Sequence, residues 1–407
     1  MPTGDLVRAN GVMKVVGDRV RKQFEDVHLL HNALQKGTGT KIGDRGVEIP
    51  THLAPNANHR FITDGGDLPA GGSNLIKRAQ VFFKNYVHSF RLTGAAVDTI
   101  NSVDTAYIKN VLQFEMTESV REAYKRLNWY GWGTGNGMLA TISSGAASAT
   151  QTVNNNDGNR ALRDGMVVEI TDGTTSRGTR TIDNANASST TFTLTATVTS
   201  TTSDIVVADG SYNLAITGIR QMNDDTTNGA VMFQGISRNT YLGYRATRVN
   251  ASSVGLDPSF LRRLLGAGVH IKAGELNRSK LKLWSHPAQT AAYSALGWNL
   301  KRATMSDKKL DMGYTVYEYE GIDWMEDVDA PKDEVDALDM STFAKYVAKD
   351  FGWDEKTGSI LNRVTSSTSG IAYTDQFEGY WTGRFNYGCT KPNANGWVDA
   401  LSVPTGF

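Results

Sequence analysis

Between residues 40 and 94 the chain carries two long extended arms on either side of a segment that has to turn, Gly65-Gly66-Asp67-Leu68-Pro69-Ala70-Gly71-Gly72. Gly, Pro and Asp at this density interrupt regular structure and supply turn conformations. The outward arm contains GVEIPTHL (46–53). The return arm, LIKRAQVFFKNYVHSFRL (75–92), is rich in the aromatic and β-branched residues that favour strands. The pattern predicts one long hairpin. An arm of about 18 residues at about 3.3 Å each reaches nearly 60 Å. Two isolated strands are marginal in water, so Val81, Phe82, Phe83, Tyr86 and Phe90 need a surface to cover. Part of that surface can be the same chain; the distal arm is expected to lie on a neighbouring copy.

Bulk composition narrows the function classes. The 407 residues suffice for two or three units with their own cores. Lys plus Arg and Asp plus Glu are both 42, so the formal net charge is zero. A protein that grips nucleic acid usually carries a basic excess, because phosphate neutralisation supplies most of the affinity. Cys389 is the only cysteine, which rules out an intramolecular disulfide and fits folding in a reducing cytoplasm. The N-terminal segment lacks the apolar core of a signal peptide. No apolar run approaches the roughly 20 residues that span a bilayer, so no membrane is expected.

Hydrophobic spacing places the other elements. Residues 5–36 read as a helix with Met13, Val16, Val20, Phe24, Val27 and Leu34 on one face. Residues 102–130 read as a longer one, N-capped by Ser102, with Val103, Tyr107, Val111, Phe114, Val120, Tyr124 and Leu127 on its apolar side and the glycines of GWGTGNG (131–137) as its stop. Residues 141–210 are a compositional island, about a third Ser or Thr and without Lys. TTFTLTATVT (190–199) alternates as a half-buried strand does. MVVEI (166–170), RGTRTI (177–182) and DIVVAD (204–209) read as further strands of a small all-β domain inserted into a host. Its flanks, MLATI and LAITGI, are expected to lie side by side. Residues 211–340 look α/β: Asp257-Pro258 opens a capped helix, LKLW (281–284) is a buried strand followed by a helix capped by Ser285, and YTVYEYEGI (314–322) is another strand. The tail, 340–407, is strand-rich.

The chemistry-bearing residues form no convincing catalytic or metal constellation. Gly131, Gly133, Gly135 and Gly137 close a helix, whereas a phosphate loop opens one. His28 and His31 share a helix face without further ligands. Ser285 beside His286 reads as a helix cap. The stretch 318–339 holds ten acidic residues and one Lys, without the spacing of a calcium loop, and reads as a solvated surface segment. Lys77, Arg78, Lys84 and Arg91 make the return arm basic; an acidic patch on the next subunit, such as 318–339, suits it at least as well as nucleic acid. No catalytic residue, cofactor or metal is expected.

The order of elements resembles the major capsid proteins of tailed bacteriophages, which have the Hong Kong 97-like fold. VFFKNYVHSFRLTGAAVD (81–98) is similar to the segment joining the extended loop to the spine helix. NLAITGIRQ with VMFQGISRNTYLGYRA (231–246) is similar to the lead into the axial domain. LDMSTFAKYVAKDFGWDEKTGSILNR (338–363) and GYWTGRFNYGCTKPNANGW (379–397) are similar to C-terminal peripheral strands. The resemblance covers about three quarters of the chain. It implies an α+β class and this division: N-terminal arm 1–39, extended loop 40–90, peripheral domain 91–140 with its spine helix, inserted β-domain 141–210, axial domain 211–337, and peripheral C-terminal strands 338–407. It implies a structural protein, not an enzyme, that is made in the host cytoplasm and builds a virion shell of hexamers and pentamers. That shell encloses double-stranded DNA without gripping it, with scaffolding, portal and decoration proteins as possible partners. The subunit interface is expected at Lys77, Arg78, Phe82, Phe83, Lys84, Tyr86 and Phe90. Some members cross-link a Lys to an Asn; Lys84 and Asn393 supply those residue types, but no local pattern selects them.

Two other readings compete. An encapsulin-like compartment shares the fold and encloses an enzyme. A low-copy phage-associated binding protein would use the Ser/Thr-rich island as its receptor-binding part.

Overall fold

The computed structural model describes residues 29–56, 58–64, 66–68, 70–94, 105–154, 158–186, 189–269, 280–300, 308–309, 315–354, 361–365 and 373–406, with side chains omitted at 105–117 and a few further positions. The chain divides into two compact units. One combines Met1–Ala33, Phe83–Asn128 and Val347–Phe385; the other combines Leu34–Phe82, Trp129–Tyr346 and Asn386–Phe407.

In the first unit the strand Lys84–Thr93 runs antiparallel to Tyr373–Cys389, from Thr93 opposite Gln376 to Lys84 opposite Phe385. Leu361–Thr365 pairs with the same long strand. The helix Thr105–Trp132 has 28 residues and is about 40 Å long at 1.5 Å per residue. It buries Val120, Ala123, Tyr124 and Leu127, the face expected there. Ser102 and Val103 lie outside the described residues, as do the side chains of Tyr107, Val111 and Phe114. An aromatic core completes the unit: Phe351 lies 5.5 Å from Tyr124 and 5.4 Å from Trp381, and Trp353 lies 4.4 Å from Trp381.

The first helix ends earlier than its periodicity suggests. Of the stretch 5–36, the described residues are helical at Leu29–Ala33; 5–28 lie outside the described residues. Gln35 and Lys36 pair in parallel with Ala344 and Lys345 instead.

The second unit holds three sheets of consequence. Thr40–Ile42, Gly46–Ala54 and Leu75–Phe82 form one. A closed six-stranded barrel is formed by Met138–Ser144, Ala147–Val153, Val167–Thr171, Ser176–Ala185, Thr191–Thr199 and Ile205–Ala208. Its core is Leu139, Ile142, Leu162, Ile170, Phe192 and Val206 among others. A seven-stranded sheet is ordered Thr247–Asn250, Gly396–Asp399, Val335–Asp339, Leu281–Ser285, Ile322–Glu326, Thr315–Tyr319 and Lys308–Lys309. They pack on a core that includes Leu264, Leu283, Trp324 and Val398.

The tertiary structure revises several local expectations. MLATI pairs with Ile205–Ala208, not with LAITGI, because a barrel closes only when its first and last strands pair. Ala147–Val153, a polar stretch that does not announce itself as a strand, supplies the sixth. YTVYEYEGI is interrupted by a turn in which Glu320 and Gly321 have φ of 49° and 83°, the left-handed pair that tight hairpins use. The helix Pro287–Leu300 is capped by His286, whose Nδ1 accepts from the Ala288 N–H at 3.1 Å. Ser285 instead accepts from Trp324 Nε1 at 2.9 Å.

The acidic stretch 318–339 is not a solvated segment. It supplies sheet strands and buries Asp327, Glu334 and Asp336, each with a partner. Arg220 holds Glu334 by Nε and Nη2 at 2.6–3.1 Å, Asn223 donates to Asp336 at 2.7 Å, and Trp132 donates to Asp327 at 2.9 Å. Burial pushes the Asp336 carboxyl up to about 8. The tail also divides. Gly396–Asp399 enters the seven-stranded sheet between Thr247–Asn250 and Val335–Asp339, and Gly396 is required there because a Cβ would lie 2.6 Å from the Thr247 carbonyl oxygen.

Candidate assembly surface on the extended loop

The hairpin Gly46–Ala54/Leu75–Phe82 pairs Val47 with Val81, Ile49 with Ala79, Pro50 with Arg78 and Thr51 with Lys77. Period-two alternation separates its faces. Val47, Ile49, Thr51, Ala79 and Val81 are buried. Ile76, Arg78 and Phe82 point the other way and are exposed. Glu48 ties that outer face together, accepting from Arg78 Nη1 at 3.2 Å and from Gln80 Nε2 at 3.0 Å.

Beyond Ala54 the backbone ladder stops and side chains bridge the arms. Asn56 Nδ2 donates to the Gly72 carbonyl at 3.0 Å and Asn58 Nδ2 to the Ala70 carbonyl at 2.9 Å. Arg60 reaches the Asp67 carbonyl, and the Asn56 N–H donates to Asn74 Oδ1 at 2.8 Å. Three polar side chains at alternate positions thus replace strand pairing. They leave the apolar tip residues uncovered: Phe61 is fully exposed, Leu68 is 79% exposed and Ile62 is 47% exposed.

The seven residues expected at the interface do not stay together. Lys77, Arg78 and Phe82 sit on the hairpin, and Phe82 is half exposed. The return arm, expected as one strand, breaks at Phe83. Lys84, Tyr86 and Phe90 belong to the next strand, in the other compact unit. There Tyr86 Oη donates to the Ala123 carbonyl at 3.1 Å, and its ring lies 5.6 Å from Phe351. Phe90 meets Trp353 edge-on at 5.5 Å. Burial lowers the Lys84 amine and the His88 imidazole from their ordinary values, Arg126 also lowering His88 and Glu122 raising it. Their apolar contacts are therefore within the chain. Phe61, Ile62 and Leu68, which sequence reasoning passed over, are exposed on the loop together with Ile76 and Phe82. Their signal was available: large apolar side chains in and beside a glycine-rich turn that has no core to receive them.

Among the described residues no group of three or more His, Cys, Asp or Glu is placed to hold a metal ion. Among them, too, no helix is long and apolar enough to cross a membrane.

No protein-family model and no curated protein sequence matches the chain. Solved structures do. A chain of the cyanophage A-1(L) capsid asymmetric unit superposes with a TM-score of 0.54 over 92% of both chains, at 11% identity. The chain has the Hong Kong 97-like fold. Lower-scoring similarities include Mycobacterium phage Bobi, with a TM-score of 0.44 at 7% identity over 92% of this chain and 90% of the other. The holo-SrpI encapsulin complex from Synechococcus elongatus gives 0.45 at 8% identity over 94% and 90%.

Proposed function

We propose that the chain is the major capsid protein of a tailed phage. It assembles through its extended loop into hexamers and pentamers of an icosahedral shell around double-stranded DNA. The observation that carries the reading is the exposure of Phe61, Leu68, Ile76 and Phe82 on one protruding loop of a chain with this fold. Fully burying such a side chain is worth about 1.5–3 kcal/mol. A lone subunit forgoes that energy and a second copy supplies it. The role is structural, not enzymatic. Lys77 and Arg78 form the polar rim of the contact. With a formal net charge of zero, the shell encloses DNA without tight or sequence-specific binding. Scaffolding, portal and decoration proteins are the partners expected of such a shell, and the barrel is a domain inserted into the host fold. The subunit acts in the virion after synthesis in the host cytoplasm.

Sedimentation and negative-stain microscopy of the purified chain, alone and co-expressed with the products of neighbouring genes, test this. Hexamers, pentamers or closed particles are expected. A soluble monomer at high concentration in every combination would refute it.

A further inference from the structure

The foot of the extended loop is held from outside the hairpin. The Gln80 N–H donates to the Gln234 carbonyl at 2.8 Å. Gln234 lies at the turn between the short strands Met232–Phe233 and Ile236–Ser237, where Gln234 and Gly235 have φ of 50° and 76°. The Gln234 amide nitrogen donates to Tyr244 Oη and to the Cys389 carbonyl, each at 2.9 Å, and its oxygen accepts from the Cys389 N–H at 3.0 Å. Val81 fills the space beside Gly388: a Cβ there would lie 2.8 Å from Val81 Cγ2 and 2.7 Å from the Gln234 amide. One turn therefore grips the last loop strand by its backbone and the end of the strand Tyr373–Cys389 by an amide.

The turn is itself fixed by Arg238, which is fully buried. Its Nη1 donates to the Gln221 and Ala230 carbonyls at 2.9 and 3.1 Å, and Nη2 donates to the Met222 carbonyl at 2.7 Å. Asp224 balances the charge from 3.9 Å. The guanidinium lies 4.4 Å over the ring of Phe233, at the base of the turn. A buried cation this fully enclosed holds its surroundings to one arrangement, because every shift uncovers a donor.

We infer that the turn 232–237, locked by Arg238, is a clamp that sets the direction in which the extended loop leaves its subunit, and that this direction keeps assembled particles uniform. The second clause rests on the assembly reading; the first does not. Interfaces between copies tolerate little angular error. Thr40–Ile42 pairs with the outward strand and Asn386 Nδ2 donates to the Phe82 carbonyl at 2.8 Å, and the turn adds a hold on the return strand at Gln80.

The test is hydrogen exchange on the full chain beside particle microscopy. Gln234→Ala keeps the positive-φ backbone cost and removes the amide contacts. It should speed exchange of the amides at 47–49, 51 and 76–82 by about tenfold, while barrel amides and those at 281–285 and 335–339 stay within about twofold. Arg238→Met with Asp224→Asn should loosen the same amides further. Unchanged loop exchange in Gln234→Ala overturns the clamp. General loosening in the Arg238 variant, sheet amides included, shows that Arg238 serves the core and removes it from the clamp. Loosened loops should give particles of mixed size; uniform particles from a loosened loop overturn the second clause. Absence of particles from the unmodified chain would sink the assembly reading and leave the clamp to be judged on exchange.

Discussion

Phe90 stands directly opposite Gly379 in the antiparallel pairing of Lys84–Thr93 with Tyr373–Cys389, and its ring occupies the place of the missing side chain. A Cβ at 379 would fall 2.3 Å from Phe90 Cε1. Tyr86 pairs with Gly383 four residues along, but there a Cβ would meet the rings of Phe385 and Phe351, at 3.0 and 3.1 Å. Glycine is unfavourable within a strand; at 379 it makes room for the ring of Phe90, which packs edge-on against Trp353.

Gly379→Ala should therefore destabilise the subunit by about 1–3 kcal/mol, the usual cost of overpacking, in denaturant unfolding. The cost should shrink in a Phe90→Leu background, where the ring is gone. An equal cost in both backgrounds would mean that the ring is not what excludes the side chain.

Phe61→Ser with Leu68→Ser changes exposed positions, so the melting curve and circular dichroism should stay within about 0.5 kcal/mol of the parent. Particle yield by sedimentation should fall by about tenfold or more, since about 1.4 kcal/mol of lost contact already gives that factor. Normal yield would show that the tip makes no contact that matters to assembly.

His286 predicts an acid sensitivity. Burial holds its imidazole down at about 4, Arg160 and Lys332 adding to the effect, against about 6.5 in an unfolded chain. The folded state thus binds fewer protons between those values. Its contribution to stability is present above pH 6.5 and is lost as pH falls toward 4. Protonation also converts the Nδ1 acceptor of the helix cap into a donor. Melting temperature followed from pH 7 to 4 should drop more steeply in the parent than in His286→Asn, which caps without titrating. Parallel curves would remove His286 as the cause.

The barrel should be separable at its neck. Asn213 N–H donates to the Asn136 carbonyl at 2.9 Å, and a Cβ on Gly137 would touch the Ser211 carbonyl oxygen at 2.8 Å, so the chain leaves and returns at one point. Replacing 138–210 with a short Gly/Ser linker should leave the seven-stranded sheet folded. The cost should be about 2 kcal/mol, because Trp129 loses its barrel packing and the Arg160 guanidinium 5.1 Å from its ring. A chain that no longer melts cooperatively would show that the barrel core is indispensable to its host.

What the sequence determined alone lies in short-range pattern. The threonine alternation of 191–199 became a barrel strand because its period of two already sorts Phe192, Leu194 and Val198 to one side. Asp257 caps its helix through the Ser259 N–H at 2.7 Å because both residues are local to the turn. The exposed loop with its glycine tip was equally legible, since nothing nearby could bury it. Tertiary structure alone decided where the return arm divides. Residues 75–93 read as one extended run rich in strand-forming residues, and a strand's composition carries no information about its partner. Leu75–Phe82 stays with Gly46–Ala54, while Lys84–Thr93 pairs with a strand almost three hundred residues further on. The exposed edges of the loop and the half-buried rings of Tyr86 and Phe90 therefore look alike in sequence. The partners that the fold brings to them make the difference: Gly379 opposite Phe90, and Phe351 and the Ala123 carbonyl beside Tyr86.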